Sequence, residues 1–138
     1  MTARAPPDRV WRIISNIAGL PAWAAGAKKT TYLSKKRRGV GAARLITFED
    51  GSRVEEHVTS WKAGESYTYV ATSGLPVRAY VATISIRGAR RGTEITWQSF
   101  ICADMKEKEF AGFLAFMGSF YDSSLGNLKG LLERPRCK

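Results

Sequence analysis

Turn signals recur at short, nearly even intervals through the middle of this chain, and that spacing restricts its fold more than any other feature. "KKRRGVG", "EDGS", "KAGE", "SGLP" and "RGARRG" separate six stretches with an apolar period of two, at residues 28–34, 41–49, 53–61, 66–73, 77–87 and 93–102. Connections this short join antiparallel neighbours, since a parallel pair needs a crossover of roughly a dozen residues or more. The spacing therefore predicts a meander. From residue 106 to 133 the period changes. Phe110, Phe113, Leu114, Met117, Phe120, Tyr121, Leu125, Leu128, Leu131 and Leu132 recur at i, i+3, i+4 and i+7, which predicts one long amphipathic helix. The predicted class is α+β: a curved antiparallel sheet of six or seven strands wrapped around a long C-terminal helix, in a single domain over residues 1–138.

Ahead of the meander, "PPDRVWRIISN" starts a helix. Pro7 suits the first turn, Asp8 suits the positive N-terminal end, and Val10, Ile13, Ile14 and Ile17 share a face. Gly19 and Pro21 are expected to end it, and "PAWAAG" allows a second, single-turn helix. Two such short helices bury little by themselves, yet they carry Trp11 and Trp23. A sheet curled around one helix leaves an open side, and these tryptophans are expected to plug it with large apolar area.

Composition excludes several classes. The longest uncharged run, residues 13–27, contains Ser, Asn, two Gly and a Pro, so it does not read as a membrane span. No basic-then-apolar leader is visible, and Cys102 and Cys137 do not make a disulfide framework, so a reducing cytoplasm is the expected location. One histidine and two distant cysteines argue against zinc, and no Gly-rich phosphate loop suggests a cofactor. The net charge is +10, and residues 28–44 hold seven basic residues and no acid. A solvated face explains such a run. So does an anionic surface or acidic protein docking at Lys35, Lys36, Arg37, Arg38, Arg90 and Arg91. Single-stranded nucleic acid fits poorly, because Tyr32 is the only aromatic residue in the run.

Four stretches, "PPDRVWRIISNIAGLPAW", "GVGAARLITFEDGSRVEEHVTSW", "YTYVATSGLPVRAYVATISI" and "GTEITWQSF", together cover most of the chain. In this order and spacing the chain resembles the polyketide cyclase/dehydrase and lipid-transport branch of the START-like (SRPBCC) superfamily. The resemblance implies a helix-grip domain enclosing a cavity for a small hydrophobic molecule. Members usually begin with a strand ahead of the first helix. Here only residues 1–5 precede the Pro pair, so that strand is expected to be very short or missing. A missing strand would leave a sheet edge unpaired, which is either an association risk or the contact of a homodimer.

In a meander, successive loops alternate between the two ends of the sheet. "KKRRG", "KAGE" and "RGARR" share one end, and "EDGS", "SGLP" and "CADMK" share the other. The resemblance implies that the cavity opens among the second set, away from the basic clusters. A three-residue loop pairing Glu49 with Arg53 puts Ile46, Phe48, Val54 and Val58 on the inner face. Arg44 and Glu56 then also point inward, as diagonal neighbours, either as a structural pair or as a ligand-orienting one. The outward face takes His57. Tyr67, Tyr69, Tyr80 and Trp97 on the strands, with Phe113 and Met117 on the helix, are candidate cavity walls. Gly112, Gly118, Gly126 and Gly130 in the helix are read as close packing against the sheet, with a bend or ligand room as alternatives. No nucleophile–base set can be assigned, so catalytic residues stay unassigned. Three functions follow. The first is binding or transport of a small hydrophobic ligand. The second is a cyclase or dehydratase in the same cavity, with Arg44, Glu56 and a tyrosine moving protons. The third is an interaction module using the basic end.

Overall fold

The structure, a computed structural model, describes residues 1–134. The strands are β1 (Thr2–Ala3), β2 (Ala27–Tyr32), β3 (Ala43–Phe48), β4 (Arg53–Lys62), β5 (Ser66–Ser73), β6 (Ala79–Ala89) and β7 (Gly92–Cys102). They form one seven-stranded sheet in the order β1-β7-β6-β5-β4-β3-β2, antiparallel throughout. The meander predicted from turn spacing is what forms, and the first strand exists at two residues, opposite Thr93 and Glu94. Past Ile95 the outer edge of β7 has no neighbouring strand among the described residues.

The β3–β4 hairpin differs from the expected register by two residues. Phe48 N donates to Ser52 O at 2.8 Å, and Thr47, not Glu49, lies opposite Arg53. The three loop residues are therefore 49–51, not 50–52. The reason is Gly51, whose φ of +86° takes the left-handed position that closes such a loop. Asp50 Oδ1 braces the turn by accepting from Ser52 N and Oγ at 2.9 and 2.6 Å. A slip of two leaves every side chain on its predicted face. It makes Arg44 and Glu56 direct cross-strand partners instead of diagonal ones.

Helix α1 (Pro7–Ile14) stops earlier than Gly19 and Pro21 suggest, and a 3-10 segment occupies Ile17–Ala22 in place of the expected turn over "PAWAAG". Asn16 leaves the helical region at ψ 84°, and tertiary bonds hold both ends of the break. Tyr67 OH donates to Ile14 O at 3.0 Å, and Arg44 Nη1 donates to Ile17 O at 2.9 Å. The first satisfies a carbonyl that the C-terminus of α1 would otherwise leave bare, and the second ties the start of the 3-10 segment to the sheet. Trp11 meets Trp61 edge-on at 5.3 Å, and Trp23 meets Trp97 at 5.6 Å. The plug expected of the two tryptophans is thus present.

The 27-residue helix α2 (Glu107–Glu133) lies over the inner face of the sheet. Met117, Tyr121, Ser124, Leu125, Leu128 and Leu132 are its buried residues. Full burial begins at Met117: Phe113 packs only half-buried against the core, and Leu114, placed on the predicted stripe, is 42% exposed. Ser124 Oγ accepts from Ala25 N at 2.9 Å, and Asn127 Nδ2 donates to Trp23 O at 3.1 Å. Arg4 N donates to Glu133 Oε2 at 2.8 Å, so the two ends of the described chain meet. Among the described residues no helix is long and apolar enough to cross a membrane. Cys102 is exposed, and Cys137 lies outside the described residues.

Candidate functional site

Strand alternation sends Arg44 and Ile46 of β3, Val54 and Glu56 of β4, Tyr69 of β5, Tyr80 of β6 and Trp97 of β7 toward α2. Together with Leu20 and with Met117 and Phe120 of α2 they wall a cavity of about 480 Å³. Its exposed lining residues are Gly26 just ahead of β2, Glu49, Asp50 and Ser52 of the β3–β4 loop, Gly74 of the β5–β6 loop, and Phe116, Ser119 and Ser123 of α2. The opening is therefore at the "EDGS" and "SGLP" end, and no residue of the basic loops lines it. Gly74 makes the loop possible. A Cβ there would sit 1.8 Å from Arg53 O, at a φ of +96°.

Arg44 and Glu56 are 3% and 7% exposed. Arg44 Nε donates to Glu56 Oε1 at 2.9 Å, and Nη2 lies 2.7 Å from the same oxygen. The guanidinium also stands 5.1 Å from the centre of the Tyr69 ring. Glu56 Oε2 makes no hydrogen bond among the described residues, yet it is not sealed off, and Glu56 lines the cavity. Burial raises the Glu56 carboxyl above its ordinary range, with the Arg44 charge offsetting part of the effect. For Arg44 burial acts downward, but Glu56 and the nearby tyrosines outweigh it and hold the guanidinium charged.

Beside this pair lies a cluster of phenol groups. Trp97 Nε1 donates to Tyr69 OH at 3.0 Å, the Tyr80 and Tyr121 hydroxyls hydrogen-bond each other, and Trp97 stacks on Tyr121 with ring centres 4.1 Å apart. Burial raises all three phenols, Tyr69 well above the usual range, so at neutral pH they are hydrogen-bond donors and not phenolates. The cavity is thus an apolar chamber with one acidic and several hydroxyl groups along one wall. Among the described residues no three His, Cys, Asp or Glu side chains converge as metal ligands would.

Of the side chains named from sequence, Arg44, Glu56, Tyr69, Tyr80, Trp97 and Met117 line the cavity. Tyr67 does not. It is buried with its hydroxyl bonded to the end of α1 and its ring stacked on Trp61 at 5.3 Å. Phe113 does not either: it packs half-buried against the core one turn before Met117. His57 lies on the other face of the sheet, 2.8 Å from Glu55 Oε2. The glycines of α2 are not packing contacts. A Cβ at Gly112, Gly118, Gly126 or Gly130 would meet nothing within 4 Å, because all four are on the exposed side. Tyr121, which the sequence marks only as part of the helix stripe, joins the phenol cluster; its spacing of four from Met117 puts both on one face.

A sheet gripping a C-terminal helix around a cavity defines the helix-grip class. The chain belongs to the family described as "Polyketide cyclase / dehydrase and lipid transport", whose pattern it matches over residues 1–133. Among solved structures it is similar to the protein XoxI from Bacillus cereus, at 22% identity and a TM-score of 0.82, covering 97% of this chain and 92% of that one. It is also similar to a protein from Mesorhizobium loti, at 17% identity and a TM-score of 0.76, covering 99% and 96%. Ara h 8.0201 superimposes at 12% identity and a TM-score of 0.69, covering 93% of each chain. These likenesses show the fold. No curated protein matches the chain.

Proposed function

We propose that this protein binds a small, mostly apolar molecule in the chamber between the sheet and α2, as a carrier or sensor. The observation that carries this is the chamber itself. It is about 480 Å³, has mainly apolar walls, and holds a few polar groups gathered on one side. That is the composition of sites that enclose small ligands. The name of the family, which joins cyclases and dehydrases with lipid transport, supports the same class of ligand. Native mass spectrometry of the purified protein, with displacement of an apolar fluorescent probe, tests it. Ser123→Trp, on an exposed lining position of α2, should fill the chamber and abolish probe binding while the protein stays folded. Probe binding that survives this change would place the probe elsewhere.

A second role has its own support. Lys35, Lys36, Arg37, Arg38, Arg90 and Arg91 form no ion pair among the described residues, and the loops that carry them share the end opposite the cavity mouth. That end suits an anionic surface or an acidic protein.

A further inference from the structure

The chain as a whole is strongly basic, at +10, but the lining of its cavity is not. Three carboxylates, Glu49, Asp50 and Glu56, face one guanidinium, Arg44. Two of the three stand at the mouth, so a ligand passes them before it reaches the third. At the inner end each nitrogen of Arg44 is already engaged, Nε and Nη2 by Glu56 Oε1 and Nη1 by Ile17 O. Arg44 is therefore poorly placed to receive an incoming acid. Glu56 Oε2, on a side chain nine-tenths buried, has surface on the cavity and no protein donor. A buried acceptor of this strength left bare is costly, and a donor supplied by a ligand removes the cost.

We infer that the molecule held here carries a hydrogen-bond donor, a hydroxyl or an ammonium, at the end that reaches Glu56, and that apolar carboxylates such as fatty acids are excluded. This deepens the proposal of ligand binding and rests on it. A carboxylate would meet Glu56 with like charge and no free cation, whereas a donor completes the hydrogen bonding of Oε2. The Tyr69, Tyr80 and Tyr121 hydroxyls nearby can accept as well as donate, so they do not bias the site toward an anion.

The test uses probes that share one body: naphthalene, naphthol, naphthylmethylamine and naphthoate. Their affinities are measured at pH 8 by quenching of tryptophan fluorescence. Naphthol and the amine should bind roughly tenfold more tightly than naphthalene, the scale of one hydrogen bond to a charged acceptor. Naphthoate should bind more weakly than naphthalene. Glu56→Gln should erase the advantage of the amine over naphthalene. Glu49→Gln combined with Asp50→Asn, at exposed positions and with an acceptor kept for Ser52, should strengthen naphthoate binding without touching the inner wall. Naphthoate binding as tightly as the amine would overturn the inference, as would an amine preference that survives Glu56→Gln. If that variant does not fold, a mouth double variant that leaves naphthoate unchanged overturns it. Failure of plain naphthalene to bind at all would instead overturn the ligand-binding proposal, and the inference with it.

Discussion

Arg44 and Glu56 form a pair whose members do not carry equal weight. The guanidinium holds a carboxylate, the Ile17 carbonyl and the face of Tyr69, and its charge is favoured where it stands. Burial disfavours the charge of Glu56 more than Arg44 restores it. Arg44→Met should therefore destabilise the protein by about 3 kcal/mol, the lower end for a buried charge stripped of its partner. Glu56→Gln leaves the buried guanidinium without its counter-ion but keeps an oxygen for Nε, with the Ile17 carbonyl still on Nη1, and should cost somewhat less, about 2 kcal/mol. The pH dependence follows from the direction of the shift. A carboxyl raised in the fold contributes most below its ordinary value of 4.5, and that contribution is lost as pH rises through the raised value. The deficit of Glu56→Gln should thus shrink between pH 5 and pH 8 in denaturant titrations. A deficit that grows with pH, or exceeds that of Arg44→Met, would show that attraction outweighs burial. The inward facing of both residues was legible in the sequence, because alternation fixes the face of a strand. Their direct pairing was not, because it depends on which loop residue takes the left-handed position, and that is settled only by Gly51 closing the turn.

At the level of elements, α2 is uneven. Its C-terminal half is stitched to the sheet and the N-terminal segment by Ser124, Asn127 and the buried leucines, whereas residues 114–116 stand in solvent. Its glycines face outward, where an added methyl group meets nothing. Gly118→Ala and Gly126→Ala should each raise stability by about 0.5–1 kcal/mol, the helix-propensity difference, in thermal unfolding. A loss at either position would mean that the glycine answers to something outside the described contacts. Deleting the chain after Ser119 removes Tyr121, Leu125, Leu128 and Leu132 and should abolish cooperative unfolding, and a truncated chain that melted like the whole would contradict the core described above. The strands and this helix were readable because their periods run for many residues. The break between α1 and the 3-10 segment was not, since Gly19 and Pro21 are weaker than the bonds that Tyr67 and Arg44 send from the sheet. Nor could the pattern show where α2 starts to pack, because Leu114 and Leu128 look alike in sequence and differ only in what lies opposite them.

Over the whole molecule, hairpin connectivity separates two kinds of surface. Positive charge gathers at one end of the sheet and the cavity opens at the other. Changing Lys35, Lys36, Arg37 and Arg38 to Ser should weaken binding to phosphatidylserine vesicles and flatten its dependence on salt, while affinity for an apolar probe stays as it was. Equal loss of both would mean that the two ends are coupled. The same connectivity has a consequence for the birth of the protein. Every strand of the sheet has been made once Cys102 leaves the ribosome, but the helix that covers the inner face is synthesised after all of them, and Arg4 waits for Glu133. Until then the nascent chain presents Tyr69, Tyr80, Ile84, Ile95 and Trp97 to water as one uncovered aromatic and aliphatic face. A surface of that kind is what holding chaperones take up, so an unfinished copy is the form most exposed to aggregation.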